Sequence, residues 1–211
     1  SLAVHELGVV HASPPISQSG WSLHYVDSQE TVAEDGKAEN AFDTNTGTIW
    51  HTQYFNVNPK PVHPHDLQVD LGAIYNIDGI RYLPRQSGKN GRIGQYEVYV
   101  ATDSGTAPTK PPVLGQWTLV KSGTFPNSSA EQEVTFGVIA SRYVWLRAIS
   151  EANSGGPWTS VAELNVLGTS NGGSGVTITP TTATVPVGGQ QPFVGSGGMP
   201  CPSGNYAFAI T

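Results

Sequence analysis

Charge and long apolar runs are both scarce in this 211-residue chain, in which Asp, Glu, Lys and Arg together make up 12%. No apolar stretch approaches the roughly 20 residues that a membrane-spanning helix needs. No segment keeps a helical apolar period, so long amphipathic helices are excluded. One cysteine, Cys201, rules out an internal disulfide. Basic residues number only 10 and the formal net charge is -6. That balance excludes a nucleic-acid partner held by phosphate contacts and disfavours docking on an anionic membrane. No glycosidase carboxylate pair, nucleophile constellation or catalytic metal set can be nominated, so no catalytic residue and no enzymatic activity are expected.

Turn residues are plentiful instead, with 25 Gly and 16 Pro. Between the turns run short alternating stretches: Asp66–Leu71, Ile77–Leu83, Gln95–Val100, Trp117–Val120, Arg142–Arg147 and Val161–Leu167. Many short period-two strands at such spacing predict an all-β fold, an antiparallel β-sandwich of the jelly-roll type.

Four zones are expected along the chain. Residues 1–15 read as a linker or the end of an upstream module, closing on Pro14-Pro15. Residues 16–168 form the main domain, 169–175 a Gly/Ser linker, and 176–211 an incomplete segment resembling the first strands of a bacterial immunoglobulin-like domain. That last stretch is too short to bury a core of its own. The start at Ser1, without Met or a charged leader, is what a mature or excised fragment would show. The acidic, disulfide-free, linker-joined layout reads as extracellular, from a secreted bacterial protein.

Several motif matches carry no chemistry. Gly168-Thr169-Ser170-Asn171-Gly172 fits the nucleophile-elbow pattern, but a Gly/Ser linker follows where a helix is required. Asp43-Thr44-Asn45-Thr46-Gly47 opens like an EF-hand loop, yet Thr48 and Tyr54 stand where Gly and Glu are needed. His63-Pro64-His65 offers two imidazoles without a third clustered ligand, so a structural role is expected.

More specific is an ordered series of blocks: Asn40-Ala41-Phe42-Asp43 with Thr48-Ile49-Trp50-His51-Thr52, and Leu83-Pro84-Arg85-Gln86 with Asn90-Gly91-Arg92. Arg142–Arg147 and Pro157-Trp158-Thr159-Ser160-Val161-Ala162-Glu163 complete it. In this order the blocks resemble the discoidin, or coagulation factor type C, domain, and within it the family 32 carbohydrate-binding modules. The N-terminal domain of galactose oxidase is similar. The resemblance implies a galactose-binding-domain-like sandwich with loops gathered at one end.

It also implies a sugar site. A hexose presents hydroxyls that need donors and acceptors, and one apolar face that suits an aromatic ring. Arg85 brings a planar donor fork, although a surface salt bridge would also account for it. His51 would bond the axial hydroxyl of galactose, or else simply pack beside Trp50. Asn90 both donates and accepts, and Asn-Gly is equally a hairpin turn. Glu34 is the expected acceptor, with Asp35 and Glu39 close in sequence. Trp158, after a Gly-Gly-Pro turn, is expected exposed for stacking, and Tyr54 as a second apolar wall or a partly buried ring. The implied function is a non-catalytic carbohydrate-binding module for terminal galactose or N-acetylgalactosamine that targets an attached enzyme to glycans. The alternatives are a discoidin-type adhesion module for protein or phospholipid, or a structural spacer.

The same resemblance implies a structural cation. Asn40 and Ala162 would supply backbone carbonyls, with Asp43, Asn45, Thr48 and Glu163 nearby. An all-oxygen set with two carboxylates suits Ca²⁺ first, with Na⁺ as the alternative.

Overall fold

The computed structural model describes residues 13–102, 105–153 and 156–171, together with the backbone of two short strands further on. The chain divides into two units, residues 1–170 and 171–211.

The first unit is all-β, as expected, with three short 3₁₀ turns and eight strands. These are β1 (Ser22–Val26), β2 (Trp50–His51), β3 (His65–Leu83), β4 (Gln95–Ala101), β5 (Thr118–Thr124), β6 (Gln132–Ala148), β7 (Ser160–Val161) and β8 (Glu163–Ser170). All pairings are antiparallel, in the order β1-β3-β6-β4-β5, with β8 also on β3 and a separate β2–β7 pair.

β3 is where the sequence reading and the structure differ. Asp66–Leu71 and Ile77–Leu83 are two parts of one 19-residue strand. Its ladder to β6 shifts register between Asp70 and Tyr75 and again between Ile77 and Gly79. An extra residue reverses the side-chain phase of a strand. Leu67, Val69, Leu71 and Ile77 are therefore buried at odd positions, whereas Ile80 and Tyr82 are buried at even ones. β1 runs along Leu67–Asp70, and β8 takes over the same edge from Tyr75 to Leu83. One bent ladder thus serves both layers of the sandwich. The first half of β6, Gln132–Ser141, lies outside the expected strands, although Val134, Phe136 and Val138 alternate within it.

Between the layers lie Trp50, Leu67, Ile77, Ile80, Tyr82, Leu146 and Leu164, all essentially inaccessible. Full burial of each large apolar side chain contributes about 1.5–3 kcal/mol. A second cluster of Tyr99, Ala101, Trp117, Tyr143 and Trp145 forms apart from it. There Tyr99 stacks on Trp145 at 4.6 Å.

Two expected boundaries move. Ser13 Oγ donates to Asp78 (2.7 Å), Gly168 N donates to Pro14 O (3.1 Å) and Ile16 N donates to Val166 O (2.8 Å). Ser13–Pro15 are therefore part of this fold, not of a spacer. At the other end Thr169 and Ser170 pair with Asn76 and Tyr75, so β8 extends past residue 168 into the expected linker. Hydrogen-bonded registry with β3 overrides their loop-like composition.

In the second unit, β9 (Thr177–Thr179) and β10 (Val194–Ser196) pair antiparallel. The remainder of the expected immunoglobulin-like segment lies outside the described residues.

Candidate functional site

Glu34, His51, Tyr54, Arg85, Asn90 and Trp158 line one surface cleft of about 360 Å³. Four loops and β2 bring them together, and each loop is held by a specific device.

The first device is Glu30, a fully buried carboxylate that sequence reasoning missed. Its Oε1 accepts the backbone N–H groups of Val32 (2.8 Å) and Ala33 (3.0 Å), and its Oε2 those of Tyr54 (3.0 Å) and Phe55 (2.9 Å). One side chain thus binds the segment carrying Glu34 to the segment carrying His51 and Tyr54. Burial alone would raise its pKa, but the four N–H groups dominate and hold it at about 2. Glu30 N also donates to His51 O at 2.7 Å.

His51 is buried, 3% exposed, with its Nδ1 2.6 Å from Thr52 O. A carbonyl only accepts, so Nδ1 carries the proton. Burial pushes the imidazole pKa below its ordinary value; the Thr52 bond and Glu34 oppose this, and the Arg85 charge adds to it. The ring is therefore neutral near pH 7, and Nε2 is an acceptor. Tyr54 stands edge-on to it, ring centroids 5.1 Å apart.

Arg85 is fixed by its own loop: Nε donates to Ser87 O (2.6 Å) and Nη1 to Asn90 O (3.4 Å). Among the described residues it makes no ion pair, so the salt-bridge alternative does not hold. Asn90 sits in a turn, as Asn-Gly implies, and its carbonyl also accepts from Ser160 Oγ (2.8 Å). The turn requires Gly91, whose φ is +77° and where a Cβ would lie 2.7 Å from Ser160 N. Glu151 Oε1 accepts the Gly91 N–H at 2.6 Å.

Trp158 departs from expectation. It is half-buried, with Lys60 Nζ 5.2 Å from a ring centroid. A Cβ on Gly156 would fall 2.2 Å from the indole, so the ring folds back over its own turn. Behind it, fully buried His65 donates to Asp27 (Nδ1, 2.7 Å) and to Pro157 O (Nε2, 2.6 Å). Both nitrogens are engaged, so His65 steadies the Trp158 loop and has no lone pair for a metal. Of the three carboxylates weighed as acceptor, only Glu34 lines this cleft; Glu39 is exposed elsewhere.

The residues expected around a cation form a second constellation. Asp43 accepts from Asn45 N and from Thr48 Oγ1, both at 2.8 Å. Asn45 Oδ1 accepts Gly47 N (3.0 Å). Asn40 Nδ2 donates to Asp35 O (2.7 Å) and Ile49 O (3.1 Å), and Ala162 N donates to Leu83 O (2.9 Å). Glu163 is 5% exposed; Oε1 accepts from Gln18 Nε2 (2.6 Å), while Oε2 is buried with no hydrogen-bond partner. Burial raises the Glu163 pKa, opposed by the Gln18 bond, reinforced by Asp43 and opposed again by the Thr44 backbone N–H. A buried carboxylate oxygen without a hydrogen-bonded side-chain partner, within electrostatic reach of Asp43, fits a hard cation.

Comparison with known proteins gives this arrangement its context. Residues 25–164 match the F5/8 type C domain. A sialidase of Micromonospora viridifaciens is 37% identical over 153 residues, and a galactose oxidase of Gibberella zeae 40% identical over 164. These alignments cover 72% and 75% of this chain but only 22% of either relative. Among solved structures, the family 32 module of Clostridium perfringens NanJ in complex with galactose superposes with a TM-score of 0.59 at 31% identity. The match covers 72% of this chain and 97% of that one. CpGH89CBM32-5 from the same organism, in complex with GalNAc-β-1,3-galactose, gives 0.61 at 28% identity, covering 72% and 99%.

Proposed function

Because the chain belongs to the F5/8 type C domain family, we propose that its 13–170 domain is a carbohydrate-binding module for a terminal galactose or N-acetylgalactosamine unit. The observation that carries this reading is the convergence of six chemically suited side chains on one cleft. Each has a task that its surroundings permit. Nε2 of His51 accepts a hydroxyl proton, and Arg85 and Asn90 donate to sugar oxygens. Glu34, without a hydrogen-bond partner among the described residues, accepts from a further hydroxyl. Tyr54 and the half-buried Trp158 ring offer apolar walls to the sugar's C–H face. Each polar contact is worth about 1 kcal/mol net, so one hexose should bind with a dissociation constant on the order of 0.1–1 mM.

The cation belongs to the same reading. Asp43 and Glu163, with backbone carbonyls of Asn40 and Ala162, would hold Ca²⁺, which neutralises the buried carboxylate and fixes the 43–48 loop. The module serves as a targeting device: tethered to a secreted catalytic domain, it raises that domain's local concentration on glycans.

Calorimetric titration with galactose, N-acetylgalactosamine, lactose and glucose, on the wild type and Arg85→Ala, tests the assignment. Sub-millimolar galactose binding that disappears in the variant is the expected result. A folded protein that ignores all four sugars at millimolar concentration would sink it. One observation favours a second reading. Val32 and Phe55, on the loops that Glu30 ties together, are 65% and 43% exposed. Such apolar tips also suit phospholipid insertion, which vesicle co-sedimentation would reveal.

A further inference from the structure

The first cleft does not end at Glu34 and Arg85. A second depression of about 450 Å³ opens beyond them, and both residues line it too. Its other walls come from Asp35 and from segments 46–49 and 86–87. Both volumes fall within the range of about 300–1,000 Å³ typical of small-molecule sites.

From this geometry we infer that the second cleft is a subsite for the next sugar of a neutral oligosaccharide whose terminal unit occupies the first. The inference rests on the galactose-type reading of the first cleft. Three observations carry it. The clefts share a ridge made of one acceptor and one donor. Arg85 is anchored through Nε and Nη1 to its own loop, which leaves Nη2 without a protein partner among the described residues. Its fork and the Glu34 carboxylate can therefore address hydroxyls on either side of a glycosidic bond.

The second cleft also has unspent hydrogen-bonding capacity. The Thr46 and Ser87 hydroxyls have no partner among the described residues. Gln86 donates through Nε2 to Pro84 O and Ser129 O, which leaves Oε1 as an acceptor. No aromatic side chain lines this cleft. It would therefore grip hydroxyls rather than stack a ring, so its contribution is additive and modest.

The lining charges select against acidic sugars. Glu34 and Asp35 supply two carboxylates against the single guanidinium of Arg85; Lys37, 3.3 Å from Asp35, lies outside the lining. A uronic acid or sulfated unit would bring a third negative charge into that setting. A neutral hexose or N-acetylhexosamine would not.

The test compares methyl galactoside with neutral galactosyl disaccharides of several linkages, and with matched disaccharides whose second unit is a uronic acid. Affinities are measured by calorimetry on the wild type, Thr46→Trp and Ser87→Trp, which fill the cleft from two different lining segments. At least one neutral disaccharide should bind about fivefold tighter than methyl galactoside. That ratio, taken within each protein, should fall to about one in both blocked variants, and the uronic acid analogues should show no gain. Backbone amide resonances of Thr46 and Gly47 should move with the disaccharide and stay still with methyl galactoside. The subsite is overturned if methyl galactoside binds but no linkage gains, if the gain survives both tryptophans, or if the acidic analogue gains most. Failure of methyl galactoside to bind at all removes the reading beneath it and the subsite together.

Discussion

Two buried carboxylates hold the loop end of this domain, and they are built on opposite principles. Glu30 is saturated: four backbone N–H groups fill its two oxygens. Glu163 is half-served, with Oε1 taken by Gln18 and Oε2 buried alone. Burial costs each of them in the same way, but Glu30 receives four compensating N–H dipoles and Glu163 fewer. The pKa directions record the difference, downward to about 2 for Glu30 and upward for Glu163. The first loop junction is complete in itself, whereas the second is where the proposed cation would act.

The largest effect should come from breaking the saturated side. Glu30→Gln presents one acceptor and one N–H₂ to four converging donors. It should cost about 2–3 kcal/mol and lower Tm by about 5–10 °C in thermal denaturation. Galactose affinity should fall with it, because the Glu34 and His51 segments lose their common anchor. A variant that melts like the wild type would show that the four bonds contribute nothing net.

The half-served side should answer differently. Calcium at one hundred times its dissociation constant should stabilise the wild type by about 2.7 kcal/mol, and chelator should reverse it. Glu163→Gln should abolish that response. If no cation binds, the same substitution removes an uncompensated buried charge and should leave stability unchanged or improved. The sign of its effect therefore separates the two cases.

Acid sharpens the contrast further. Glu30 has a depressed pKa, so its stabilisation is fully present above about 4.5 and is lost as pH falls toward about 2. The stability gap between wild type and Glu30→Gln should close across that window. A gap independent of pH would mean that the carboxylate charge is not what holds the loops. The smallest effect is on sugar binding: with the His51 pKa lowered, Nε2 remains an acceptor below pH 6.5. Galactose affinity should therefore stay flat from pH 8 to 6.5, whereas an ordinary exposed imidazole would already be half protonated at the lower end.

Part of this architecture is legible in the sequence alone. Gln95–Val100 was legible because Tyr96, Val98 and Val100 alternate with Gln95 and Glu97, and Asn90-Gly91 because a positive φ needs glycine. The six cleft residues were legible through chemistry and family resemblance. β3 was legible only in pieces, since two register shifts interrupt its alternation near residues 71–79. Glu30 left no signal at all. A carboxylate that binds backbone groups from two distant loops obeys no spacing rule, and its partners' side chains are irrelevant. Trp158 was misjudged on exposure because the space above Gly156, where the indole settles, is a tertiary fact.

The pairing of Pro14–Ile16 with Val166–Gly168 has a mechanical consequence. The first and last described stretches of this domain run side by side, along a short antiparallel ladder. Tension along the polypeptide would release the Ser13–Asp78 bonds first and then unzip that ladder one hydrogen bond at a time, from Gly168 to Ile16, instead of shearing it as a block. Pulled through both ends, the domain should give a small early yield at low force, with the β3–β6 ladder opening only in a later event.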